Sequence, residues 1–143
     1  MNEIIKPKSG FWAVSIIAII WNILGVLAYI GSVTLSPEQM EAMSEAERNI
    51  RETTPAWATS AFALATFLGL LGSILLVLRK AVAEKVFMLS FIAILVQFYY
   101  ALILVDSMAI HGVQAVIMPM FVIIIGFGLI IYSRKCKAKG LLK

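Results

Sequence analysis

The sequence predicts an all-α polytopic membrane protein: four transmembrane helices forming two parallel helical-hairpin repeats, plus a short outer amphipathic helix. Three observations predict it. The 143 residues are 62% hydrophobic and only 14% charged, against about 45–50% and about 25% in soluble domains. The apolar residues gather in four long runs that contain no Asp, Glu, Lys, Arg or His. The Lys and Arg residues lie almost entirely beside one set of run ends. Such a composition excludes a disordered tail, a collagen-like repeat and a disulfide-stapled secreted module. A single cysteine, Cys136, can form neither an internal disulfide nor a metal cluster, and no cofactor is expected. The net charge of +4 suggests nucleic acid at first sight. The basic residues flank membrane runs, however, so nucleic acid is not an expected partner. The length fits one domain over residues 1–143.

The first run, Phe11–Leu35, is the longest of the four. At 1.5 Å rise per residue, about 20 residues cross a hydrocarbon core about 30 Å thick. Residues 1–8 read as a basic leader, but the run exceeds a signal-peptide core of about 7–15 residues and is expected to be retained. Ser36, Pro37 and Gln39 supply an N-cap, a proline at the first helical position and a capping-box partner. They start an outer helix over about 37–52, with Met40, Met43 and Ile50 on one face. Its five glutamates and two arginines make it acidic. It is either a solvated helix resting on the outer helix ends, or a lid or docking surface. The second run is Ala56–Leu78 and the third is Val86–Val105, both long enough to cross. The fourth, Val116–Tyr132, is the shortest and spans only if its helix starts near Gly112–Gln114. Helices are expected in all four, because a helix satisfies its own backbone in lipid.

Ten Lys and Arg residues fall at one set of ends, among them Lys6, Lys8, Arg79, Lys80, Arg134 and Lys135; Arg48 and Arg51 fall at the other. The positive-inside rule then puts both termini in the cytoplasm and the loops 36–55 and 106–115 outside. Trp12 and Tyr132 suit the inner interface and Trp57 the outer one. The basic tail suits anionic lipid headgroups. Sliding the chain along itself lays Ser15–Asn22 over Ser90–Gln97 with four of eight positions identical, Asn22 over Gln97 among the aligned pairs. Both second arms carry an outer proline, Pro55 and Pro119, and both are expected to close on Arg-Lys. The repeats would cover about 11–80 and about 86–135, related by an axis along the membrane normal.

Candidate functional residues are polar but uncharged. Asn22 and Gln97 fall at matching depth, about 16 Å into their helices, with Trp21 beside the first and Tyr99 and Tyr100 after the second. Amides with aromatic platforms suit a neutral polyhydroxy solute. Interhelical hydrogen bonding is the alternative. Ala61, Ala65, Gly69 and Ser73 recur every four residues, a small-residue stripe for close helix packing within the chain or between copies. Pro119 removes a helical hydrogen bond to Ala115, a hinge or a plain kink. Asp106 and His111, both in the second outer loop, are too few for a metal site, and no nucleophile pairs with a base. No catalytic residue is therefore expected.

The run Phe11-Trp12, Trp21-Asn22, Gly25 and Tyr29, then Thr54-Pro55-Ala56-Trp57-Ala58, Val116-Ile117-Met118-Pro119 and Ala138-Lys139-Gly140 resembles a family of small bacterial four-helix membrane proteins. Its members are commonly labelled sugar transporters. The resemblance implies a bacterial inner-membrane protein of four helices and, by that label, a sugar as solute; it brings no established site residues. Two functions follow as expectations. One is a facilitator for a neutral solute such as a sugar, working as a homo-oligomer through the small-residue stripe. The other is an accessory or assembly subunit that uses that stripe to hold a partner membrane subunit.

Overall fold

The computed structural model describes residues 5–143; of the basic leader, residues 1–4 lie outside the described residues. These residues form helices and connections, with no strand among them. Four helices are long and apolar enough to cross a membrane. They are α1 (Ser9–Val33), α4 (Ala56–Val77), α5 (Ala83–Tyr99, continued by a turn of π-helix at Tyr100–Leu104) and α7 (Gln114–Ala138). Between α1 and α4 stand α2 (Pro37–Glu41) and α3 (Glu45–Thr53), and between α5 and α7 stands α6 (Ser107–His111).

The expected single outer helix over 37–52 is two helices, and the reason is in the sequence. Ser36 and Gln39 form a capping box at the start of α2, and Ser44 and Glu47 form a second one at the start of α3. A second N-cap ends one helix by beginning another. Arg48 on α3 ties the two together by donating to the carbonyls of Met40 and Glu41, 3.2 Å each. The fourth span is longer than expected, because α7 runs through Arg134 and Lys135 to Ala138. Arg-Lys ends α4 only. There Arg79 takes a left-handed conformation at φ 59°, and its N–H and that of Lys80 bond back to Leu76 and Leu75. Gly140, at φ 72°, makes the same type of closure after α7.

α4 packs against both α1 and α5, and α7 packs against α5. Small residues allow this. Ala58, Ala61, Ala65, Gly69, Gly72 and Ser73 all face inward from α4. A Cβ on Gly69 would overlap Asn22 Oδ1, and the close approach of α1 to α4 there needs a glycine. Large apolar side chains such as Ile17, Leu27, Ile103 and Ile124 face outward. So much exposed apolar surface is what a lipid-facing wall requires.

The core is uneven along the bundle. At the end where the terminal segments meet, here called the basic end, Phe11, Leu76, Phe87, Leu129, Cys136 and Leu142 form one buried cluster. Toward the loop end, the buried cluster shrinks to Ala65, Ala93 and Ile94. Apart from Pro119, every buried residue of α7 lies at or beyond Leu129. α7 is therefore joined to the bundle at the basic end and stands apart toward the loops, whereas α4 stays packed there through Ala58 and Ala61.

Candidate functional site

Trp21, Asn22 and Gln97 line one cavity of about 350 Å³ between the four long helices. α1 supplies Trp21 and Asn22 because both lie on its bundle-facing side, next to buried Ala18 and Val26. α5 supplies Gln97 from the same stripe as Ser90 and Ile94. α7 closes the far wall with Met118, Val122 and Leu129. The two amides that align between the proposed repeats thus share a cavity. The volume lies at the low end of the range for small-molecule pockets, about 300–1,000 Å³.

Their bonding separates them. The Asn22 amide donates to the Ala18 carbonyl at 2.8 Å and to Ser73 Oγ at 2.9 Å. Ser73, fully buried, donates in turn to the Gly69 carbonyl at 2.9 Å. Both Asn22 donors are engaged within the protein, and its oxygen rests against Gly69. Asn22 is a link between α1 and α4 and has no donor left for a solute. Gln97 has no hydrogen-bond partner for its amide among the described residues. A primary amide in an apolar wall with both donors and its oxygen free is the strongest polar group the cavity presents. Ser90, also on the lining, donates to the Ala65 carbonyl at 2.7 Å and fastens α5 to α4.

Tyr100 falls elsewhere. It lines a second cavity of about 360 Å³ at the loop end, with Glu47, Arg51, Thr54 and His111. Its hydroxyl is 3.5 Å from Thr54 Oγ1, and its ring meets Trp57 edge to face at 5.3 Å. The π-helical turn, closed by Val105 N–H on the Tyr100 carbonyl at 3.0 Å, shifts the register of the last residues of the span. Turns of this kind recur at functional sites. Its extra residue leaves no mark in the hydropathy pattern.

The roof of the second cavity is α3 with the turn before it: Met43, Glu47, Ile50 and Arg51 all face it. The Arg51 guanidinium donates to the Ser32 carbonyl at the end of α1. His111 Nδ1 lies 3.8 Å from Glu47 Oε1 and joins α6 to α3. The backbone N–H and hydroxyl of Ser44 hold the Glu47 carboxylate and keep its pKa below the usual range, with His111 a smaller contribution. Sequence reading placed these groups on separate solvated loops. Glu47 and Arg51 are neighbours on α3 by their spacing, and only the fold brings His111 to the same rim.

The small-residue stripe is occupied. Ala61, Ala65, Gly69 and Ser73 are all buried between α4 and its neighbours α1 and α5. Packing within the chain, one of the two uses expected of the stripe, takes up this face. Pro119 is buried within the first turns of α7, which continues through it as a helix. Cys136 is buried in the basic-end cluster rather than exposed on a tail. No group of three or more His, Cys, Asp or Glu residues among the described residues could hold a metal ion. The chain matches no protein-family model, no curated protein and no solved structure.

Proposed function

We propose that this chain is a multi-pass protein of a bacterial inner membrane, basic end toward the cytoplasm, that binds a small neutral solute between its four helices and facilitates its passage. The observation that carries this reading is the unpartnered Gln97 amide on the wall of an otherwise apolar cavity. The asymmetry of Lys and Arg supports the orientation. The second cavity supports entry from the loop end, since Gln97 and Phe62 line both spaces.

The lining also bears on the kind of solute. A sugar carries several hydroxyls, and each one buried without a partner costs about 1–3 kcal/mol. Gln97, with Trp21 on the same lining, can satisfy one or two. The geometry therefore favours a solute with an apolar frame and one or two hydrogen-bonding groups over a polyhydroxylated one. The accessory-subunit reading has less support, because the small-residue face it relied on is filled by α1 and α5.

Proteoliposome swelling tests the proposal. Vesicles holding the protein should admit small alcohols and amides faster than empty vesicles, with little gain for a hexose. Gln97→Leu should remove most of that gain while eluting as a folded protein. Equal permeation through the Gln97→Leu variant would sink the assignment.

A further inference from the structure

The two cavities adjoin, with Phe62 and Gln97 on the lining of both. On the loop-end side of these two residues lie a carboxylate, a guanidinium, an imidazole and a phenol: Glu47, Arg51, His111 and Tyr100. On the other side the walls are largely aliphatic and aromatic, from Leu24 and Phe87 to Val122 and Leu129. Polarity therefore falls along the bundle axis from a charged rim, through one amide, to an apolar chamber. A compact solute uses only one of these zones at a time, whereas an amphiphile matches all three at once.

We propose that the two cavities together hold one single-chain amphiphile, its alkyl chain in the apolar chamber and a polar head of no net charge in the loop-end cavity. This rests on the reading of the Gln97 cavity as a binding site and names the class of ligand it takes. The chamber sets the chain. With a methylene about the size of a water, about 30 Å³, 350 Å³ holds one chain of roughly a dozen carbons and not two. The rim sets the head. Glu47 and Arg51 are one turn apart on α3 and opposite in charge, so the rim offers both signs and a surplus of neither. Each is also anchored, Glu47 by Ser44 and Arg51 by the Ser32 carbonyl. A head with net charge would lose its hydration against a balanced rim with no counter-charge to gain. The route in is lateral as well as axial. α1 and α7 both line the chamber but are not a packed pair; they meet at the basic end, where Phe11 stacks on Tyr132 at 6.5 Å. An amphiphile already dissolved in the bilayer can reach the chamber between them.

Native mass spectrometry of the full chain tests this, with dodecanoyl lysophosphatidylcholine, the corresponding lysophosphatidic acid and dodecanol as probes. The zwitterionic lipid should bind one to one and about tenfold more tightly than the acid, a difference of about 1.4 kcal/mol. Ala28→Phe, which fills the chamber from an exposed position on α1, should weaken the lysolipid and dodecanol alike. Tyr100→Phe with Arg51→Gln should weaken the lysolipid and leave dodecanol unchanged. Equal affinity for the acid overturns the neutral head. Loss of both probes in the rim variant, or of neither in Ala28→Phe, overturns the placement of head and chain. If dodecanol binds and Gln97→Leu still abolishes solute permeation while the lysolipid never binds, the amphiphile proposal fails and the solute site stands.

Discussion

The two ends of this four-helix bundle are finished in opposite ways, one filled and one left open. At the basic end, chain outside the long helices completes the seal. Arg79 donates to the Leu141 carbonyl at 2.8 Å and to the Ile5 carbonyl at 3.0 Å. Lys143 and the 79–81 turn exchange backbone bonds of 2.7 and 2.8 Å, and Leu142 inserts into the buried cluster. Glu84 pairs with Arg134 at 2.8 Å and Lys137 at 3.3 Å, joining α5 to α7. At the loop end the connecting helices α3 and α6 meet over an open space and leave a cavity beneath them. Helix packing alone therefore does not close such a bundle. Closure depends on whether the connections fill the space between helix ends or span it, and under the proposed function that sets the side from which a solute enters.

The costliest variant strikes the junction on which both ends depend. Gly69→Ala drives a Cβ into Asn22 Oδ1 and sets it 3.3 Å from Ser90 Oγ, where α1, α4 and α5 converge. Overpacking of this kind costs about 1–3 kcal/mol. Thermal unfolding in detergent should show that loss. Asn22→Ala in the Gly69→Ala background should recover part of it, because it removes the clashing oxygen, whereas Asn22→Ala alone should destabilise by breaking the bond to Ser73. Simple additivity of the two changes would mean that Asn22 and Gly69 are not in contact.

Loosening the sealed end alone should cost less. Arg79→Ala removes a guanidinium bonded to two carbonyls, one bond part-buried and the other exposed; water can replace the lost donors there, so the net loss is that of an ordinary hydrogen bond, about 1 kcal/mol. The left-handed backbone at Arg79 is itself unfavourable for a residue with a Cβ, so the side-chain bonds offset a local cost. Cys136 is a built-in reporter, buried at 4% exposure in the cluster that Leu142 completes. Maleimide labelling of Cys136 should be slow in the wild type and about tenfold faster in Arg79→Ala, corresponding to about 1.4 kcal/mol of easier opening. An unchanged rate would show that the turn and tail do not guard the basic end.

Legibility in the sequence followed how local each cause is. The four long helices could be read because long apolar runs without charge have few other uses. The start of α2 could be read from Ser36 and Gln39, and the break before α3 was equally available in Ser44 and Glu47; an unbroken helix over 37–52 overlooked a second cap of the same kind. The alignment of Asn22 with Gln97 pointed to two residues that share a cavity. It could not say that Asn22 bonds to Ser73 while Gln97 has no partner among the described residues, since that depends on which helix stands opposite each. The four-residue spacing of Glu47 and Arg51 puts them on one face of α3, but the π-helical turn at Tyr100–Leu104, the left-handed Arg79 and the arrival of His111 at that rim arise from tertiary contacts, which no spacing along the chain encodes.

The mildest perturbation concerns the loop end alone, where one carboxylate carries the cap of the helix that roofs the cavity. Glu47 accepts from Ser44 N–H at 3.0 Å and from its hydroxyl at 2.9 Å. These bonds are stronger to the ionised form and hold its pKa below the ordinary 4.5, the backbone N–H contributing most. A carboxyl whose pKa is depressed on folding contributes stability that is fully present above the unfolded value and fades as pH falls through the folded one. The roof should therefore be unaffected at neutral pH and loosen progressively below 4.5. The Ser44 amide proton, followed by NMR against pH, should titrate with a midpoint below 4.5, and Glu47→Gln should abolish that titration while keeping an acceptor for the cap. A midpoint at or above 4.5 would mean that the cap does not form in solution. The open end would then lack a fixed roof, and its contrast with the sealed end would be greater still.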